Sequence, residues 1–266
     1  MPAIEASAAD DLALIADAAA EAGRIALGYF KQSPEVWLKG GSSPVSEADY
    51  AVDRYLRERL TTARPAYGWL SEETADNTGR LKLRRTFVVD PIDGTRAFLD
   101  GRSTWCVSIA VVEDGVPLAG VLDCPAKEEI YLAHRAGGAT KNGRAIRVNA
   151  PREPALIAGP KVMLDAAVER LPKVNRAPYI PSLAYRVAMV ADGALDATFI
   201  KPNSHDWDLA AAELVLSEAG GALRRPDGAR PLYASADTRH GALVAGSGEL
   251  LRAMIEAAAA MSALRV

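Results

Sequence analysis

Apolar residues recur at helical spacing through the first sixty positions and then switch to a period of two, so the chain opens as two helices and continues as a sheet. Leu12, Ile15, Ala19, Ala22, Ile25, Ala26 and Tyr29 predict an amphipathic helix from about Ala8 to Lys31, closed by Ser33-Pro34. Ala48, Val52, Tyr55, Leu56 and Leu60 predict a second from Ser46 to Ala63, with Asp49 near its first turn. Short strands are then expected around Tyr67 to Leu70, Thr86 to Val89, Trp105 to Val112, Pro117 to Leu122 and Glu129 to Ala133. Asp114-Gly115 and Asn142-Gly143 have hairpin-turn chemistry. After Pro151 strands near Leu156 and Phe199 alternate with helices near Leu164 and from Ser182 to Ala191. An Ala-rich helix follows Asp206 and stops at Gly220-Gly221, and a strand at Ala242 to Ala245 precedes a terminal helix from Glu249. This texture predicts an α/β fold with an α+β part over 1–150 and an α/β part over 151–266, divided near Pro151 to Pro154.

Composition narrows the function classes. The 266 residues can bury a substantial core, and 31 basic against 34 acidic residues give a net charge of −3. That balance argues against broad nucleic-acid binding and leaves room for a small anionic ligand bound locally. Cys106 and Cys124 are too few for a disulfide framework and lack zinc-site spacing, so buried free thiols are expected. Glu5, Asp10 and Asp11 near the start leave no basic leader and no apolar leader core, and no stretch of about 18 apolar residues is present. A cytoplasmic protein with no membrane role is the expectation.

The densest chemistry lies in Val88-Val89-Asp90-Pro91-Ile92-Asp93-Gly94-Thr95. Two β-branched residues drive a strand, and Pro91, lacking a donor, is expected to end regular pairing so that Asp90 and Asp93 sit in a turn. Gly94 permits close backbone approach, and Thr95 is placed to cap the segment that follows. Three further acidic clusters stand at element edges: Glu47-Ala48-Asp49, Ser71-Glu72-Glu73 and His205-Asp206-Trp207-Asp208. Carboxylates that converged from these edges would need a divalent cation to suppress their repulsion; the competing reading is a set of separate caps and surface acids. His205 reads as a loop histidine and not a catalytic base.

Asp90-Pro91-Ile92-Asp93-Gly94-Thr95-Arg96-Ala97-Phe98 resembles the D-P-[IL]-D-G-T-x-x-F element of the inositol monophosphatase superfamily of Mg2+-dependent, lithium-sensitive phosphatases. Trp207-Asp208 with Leu209-Ala210-Ala211-Ala212, then Glu218-Ala219-Gly220-Gly221, resembles its second element, and Ser71-Glu72-Glu73 lies upstream in the family's order. The resemblance implies a layered αβαβα sandwich with a cleft between its two parts. It also implies that Glu72, Asp90, Asp93, Asp208 and the Ile92 carbonyl bind two or three Mg2+ ions. Thr95 with Asp49 would be the water-activating couple, and the amides of Gly94 and Thr95 would hold phosphate oxygens. The partner it implies is a small-molecule phosphate ester. Family members are often dimers, which makes a homodimer possible here.

Substrate preference turns on three cations. An acid seven positions before the Trp-Asp aspartate holds inositol hydroxyls in relatives that prefer inositol phosphate; here that position is Lys201. An ammonium cannot accept hydrogen bonds from a polyol. Arg96 and Arg186 stand where bisphosphate nucleotidases often carry Lys, and Arg suits phosphate oxygens. The resemblance with these departures favours 3'(2'),5'-bisphosphate nucleotidase activity, from 3'-phosphoadenosine 5'-phosphate to AMP and phosphate. Inositol-1-monophosphatase is the runner-up, with histidinol-phosphate and fructose-bisphosphate phosphatase on the same scaffold. A regulatory binding module is the alternative from another class, although a purely structural role would not require Thr95 and the metal acids.

Overall fold

The computed structural model describes residues 6–39, 43–167, 170–171 and 173–263. Helix α1 (Ala8–Tyr29) is opened by Ser7, whose hydroxyl accepts from the Asp10 amide while Asp10 answers the Ser7 amide. Its small residues Ala18, Ala19, Ala22 and Ala26 are fully buried, which lets the helix lie close to its neighbours. A hairpin of β1 (Val36–Lys39) and β2 (Ser43–Ser46) comes next, and the sequence does not signal it: Trp37 and Leu38 face solvent. Helix α2 (Glu47–Ala63) then buries Ala48, Val52, Leu56 and Leu60.

Seven strands form the larger sheet: β3 (Gly68–Ser71), β4 (Arg85–Asp93), β5 (Cys106–Glu113), β6 (Val116–Cys124), β7 (Glu129–His134), β8 (Gly138–Lys141) and β9 (Arg144–Ala145). They run in chain order, parallel only between β3 and β4. The short helix α3 (Thr95–Leu99) separates β4 from β5. Asp114 and Gly115, and likewise Asn142 and Gly143, take the positive φ that tight hairpins need. The free thiols Cys106 and Cys124 are both buried, as expected.

The second half contributes β10 (Ala155–Ala158), α4 (Lys161–Ala167), β11 (Val174–Arg176), α5 (Leu183–Ala191), β12 (Ala197–Ile200), β13 (Ser204–His205) and α6 (Asp206–Glu218). It ends with β14 (Ala222–Arg224), β15 (Arg239–His240), β16 (Leu243–Gly246) and α7 (Gly248–Ala263). Five of these strands form a smaller sheet in the order β11-β10-β12-β16-β14. Three cores stack the layers. Helices α1 and α2 cover one face of the large sheet; α5 and α6 fill the space between the sheets; α4 and α7 close the outer face of the small sheet. The result is an αβαβα sandwich. Helix α6 is buried on nearly every side from Leu209 to Leu216, which explains an apolar run with little amphipathic character.

Two local expectations need correction. Strand β4 does not end at Pro91: pairing with β5 skips from Asp90–Ser108 to Asp93–Cys106. The missing Pro91 donor is absorbed in a bulge instead of a turn, and the Ile92 amide donates to Asp90 Oδ1 at 3.0 Å. Thr95 is not the cap of α3; Gly94 is, at φ +95°, with Thr95 as the first helical residue. No helix among the described residues is long and apolar enough to cross a membrane.

Candidate active site

The β4 bulge turns Asp90 and Asp93 toward the start of α6, and carboxylate oxygens of Asp90, Asp93 and Asp208 lie within 4.8 Å of one another. Each owes its place to a different element. Asp90 is fixed by its bond to the Ile92 amide. Asp208 sits in the first turn of α6 and accepts the His205 amide at 2.7 Å. Asp93 caps α5: it accepts the amides of Ala184 at 2.7 Å and Leu183 at 3.3 Å, and also the Ser182 hydroxyl. Three of about four acceptor positions on that carboxylate are thereby used, leaving one for another partner.

Arg186 beside Asp93 and Lys201 near Asp208 offset the repulsion within the cluster only in part. Burial, then the charges of Glu72 and Asp93, hold Asp90 well above the usual carboxylate range. Burial and Asp93 push Asp208 up to about 7. Glu72 follows β3, anchored by its amide to the Val89 carbonyl at 3.2 Å. Although outside the three-way cluster, it is pushed up to about 8 by burial and by Asp208. An all-oxygen donor set under this mutual repulsion fits a hard divalent cation.

Asp49 and Thr95 come together loosely. Asp49 Oδ2 binds the Ser46 amide at 2.8 Å, and its Oδ1 stands 3.5 Å from Thr95 Oγ1. Thr95 donates better to the Ile92 carbonyl, at 3.1 Å. A cavity of about 420 Å3 opens over this centre, and Asp93, Thr95, Arg96, Arg186, Lys201 and Asp208 are among the residues that line it. Its volume is in the range of about 300 to 1,000 Å3 for sites that enclose small ligands. Lys201 is exposed at the rim, whereas Arg186 is only 9% exposed.

Four further side chains bear on the site without having been expected there. Ser182 holds Asp93 while also capping the Tyr185 amide; the predicted helix start was visible, its partner 89 residues away was not. Lys39 on the hairpin donates to the Glu72 carbonyl at 3.1 Å and pairs with Glu73. Cys106 Sγ approaches Asp93 Oδ2 at 3.9 Å. Tyr179 lines the cavity and is 73% exposed. His205 stacks on Trp207 at 4.6 Å between ring centres, and burial lowers its pKa.

A family model described as the inositol monophosphatase family matches residues 9–262. The chain is 32% identical over 241 residues to an inositol-1-monophosphatase of Rhizobium meliloti, covering 85% of this chain and 86% of that one. It is 34% identical over 251 residues to a histidinol-phosphatase of Mycobacterium tuberculosis, covering 88% and 95%. Among solved structures, the extragenic suppressor protein suhB of Bartonella henselae superposes with a TM-score of 0.80 at 30% identity, covering 92% of this chain and 96% of that one. An IMPase of Thermotoga maritima superposes with a TM-score of 0.82 at 25% identity, covering 96% and 99%.

Proposed function

The chain belongs to the inositol monophosphatase family, and from that premise we propose that it is a Mg2+-dependent 3'(2'),5'-bisphosphate nucleotidase that converts 3'-phosphoadenosine 5'-phosphate to AMP and phosphate. Membership makes it a metal-dependent hydrolase of small phosphate monoesters. The choice of Mg2+ and of this ester is our reading.

Glu72, Asp90, Asp93, Asp208 and the Ile92 carbonyl would hold the metal. Bound there, Mg2+ supplies charge neutralisation for the phosphoryl group and lowers the pKa of a water. The protein's own part is orientation. Thr95 Oγ1 has one proton to give, and swinging it from the Ile92 carbonyl toward Asp49 leaves an oxygen lone pair to accept from an attacking water. Gly94 and Thr95 open α3 at the cavity wall, where their amides would meet phosphate oxygens.

One observation carries the substrate reading. Arg186 is buried at the cavity, its Nη atoms reaching the carbonyls of Ile180 at 3.4 Å and Phe199 at 3.5 Å, while its Nε has no hydrogen-bond partner. A buried donor left unpaired costs about 1 to 3 kcal/mol, and a second phosphate would satisfy it in forked geometry. Arg96 and Lys201 line the same cavity, and its lining acids are Asp93 and Asp208 of the metal cluster. Among the described residues no third carboxylate lines it to hold inositol hydroxyls or a cationic histidinol. The names of the Rhizobium and Mycobacterium relatives keep inositol 1-phosphate and histidinol phosphate as competing substrates.

Initial rates on the three esters at saturating Mg2+ test the ranking, with 3'-phosphoadenosine 5'-phosphate expected to turn over fastest. Faster hydrolysis of inositol 1-phosphate would overturn it. Arg186→Gln should raise KM for the bisphosphate at least tenfold and leave monophosphates within about threefold, in line with a charge-assisted hydrogen bond of about 1.5 to 3 kcal/mol.

A further inference from the structure

Tyr179 presents the most exposed large side chain with apolar surface among the described residues, and it does so at the mouth of the catalytic cavity. An aromatic ring 73% open to solvent gains nothing for the fold. The backbone that carries it is nonetheless well fixed. Pro178 and Pro181 flank it and restrict the backbone, the neighbouring Ile180 is buried at 8% exposure, and the Ala177 amide bonds the Ile157 carbonyl at 2.9 Å.

The ring is also next to the charge that reads the substrate. The Ile180 carbonyl accepts from Arg186 Nη1, so the guanidinium's anchor belongs to the residue next to Tyr179 in the chain. Tyr179 and Arg186 line the same cavity. Pro181, Leu183 and Ile200 add apolar surface to the cavity wall. A ligand with one phosphate at the carboxylate cluster and another at Arg186 would carry any attached base out past this ring.

We propose that Tyr179 is the stacking platform for the nucleobase of the substrate, selecting nucleoside bisphosphates over base-free bisphosphates. The inference rests on the bisphosphate reading above. Stacking of a base on an aromatic side chain is worth about 1 to 3 kcal/mol, which is about 5- to 150-fold in affinity. The flanking prolines restrict the backbone that carries the ring, so the ordering cost that offsets that gain is confined to the ring's own rotamers.

The test uses the full chain with Mg2+ and two bisphosphates, 3'-phosphoadenosine 5'-phosphate and fructose 1,6-bisphosphate, the second read as an inhibition constant where it is not turned over. Tyr179→Leu is expected to raise KM for the nucleotide at least fivefold with kcat within twofold, and to leave the sugar bisphosphate unchanged. Tyr179→Trp should restore the nucleotide KM. Exposure of the side chain removes folding as an explanation, which matching melting temperatures would verify. If wild type prefers the nucleotide and Tyr179→Leu alters its KM by less than twofold, the stacking role is refuted while the bisphosphate reading stands. An equal loss on fructose 1,6-bisphosphate refutes base recognition as well. A wild type that prefers inositol 1-phosphate removes the bisphosphate reading and this inference together.

Discussion

Replacing Asp123 with Asn should stabilise the protein at neutral and alkaline pH and make little difference at acid pH. Asp123 ends the β6 face that packs against α1. A Cβ built on Gly23 would lie 2.1 Å from its Oδ2, so the helix backbone presses directly on the carboxyl. Burial alone pushes its pKa from 3.8 up to about 6, with no charged partner contributing. The folded pKa exceeds the unfolded one, so the neutral acid favours folding below about pH 4 and that advantage is lost as pH rises through 6. Two pKa units correspond to about 3 kcal/mol. Asp123 is partly open to water, and screening reduces this to about 2 kcal/mol. For a chain of this size that is a melting-temperature gain of about 4 to 8 °C. Melting curves of wild type and Asp123→Asn at pH 4.5 to 8.5, at fixed Mg2+, provide the difference at each pH. The carboxylates proposed to hold the cation titrate alike in both proteins and drop out of it. A difference that stays flat across the range, or an Asn variant that melts lower at pH 8, would refute the burial argument.

Adding Mg2+ should raise the melting temperature more at pH 8.5 than at pH 6, because Glu72 near 8 and Asp208 near 7 are largely protonated at the lower pH without metal and must ionise to bind it. At a hundredfold excess over Kd the gain is about 2.7 kcal/mol; an equal or smaller shift at pH 8.5 would contradict the proposed cation site. Gly94→Ala should cost about 1 to 3 kcal/mol and at least tenfold in activity, since its φ of +95° disfavours a side chain and the new Cβ would meet Ser182 Cβ at 3.0 Å and the Thr104 carbonyl at 3.1 Å. Wild-type melting and turnover in that variant would show that the bend before Thr95 tolerates a Cβ.

What the sequence discloses depends on how local the cause is. Helices α1 and α2 are legible because each buries one stripe, and the acids of β4 are legible because a strand, a proline and a glycine sit side by side in the chain. The β1–β2 hairpin is not: its four-residue strands contain Pro44 and expose Trp37 and Leu38, so no alternation marks a buried face. The bulge at Pro91 is hidden for a related reason. Proline removes one donor whether the strand stops or skips, and only the partner strand β5, with Cys106 waiting for Asp93, decides between them. Asp123 looks like any acid in a strand until α1 is laid over it.

The least legible feature is the one that joins the two halves chemically. Asp93 is read from the motif as a metal ligand, yet most of its acceptor capacity goes to the start of α5, through the Leu183 and Ala184 amides and the Ser182 hydroxyl. Helix dipole and carboxylate attract, so this contact is favourable by itself, and it fixes α5 against the acid cluster. Arg186 follows one turn later, its amide bonded to the Ser182 carbonyl at 3.2 Å. The carboxylate proposed to hold the catalytic cation therefore also sets where the guanidinium proposed to select the substrate must stand. A change at Ser182 or Asp93 should disturb both functions at once, whereas Arg186→Gln should disturb mainly selection. This asymmetry follows from the direction of support, because the acid fixes the start of the helix, whereas the guanidinium makes only long contacts to the carbonyls of Ile180 and Phe199.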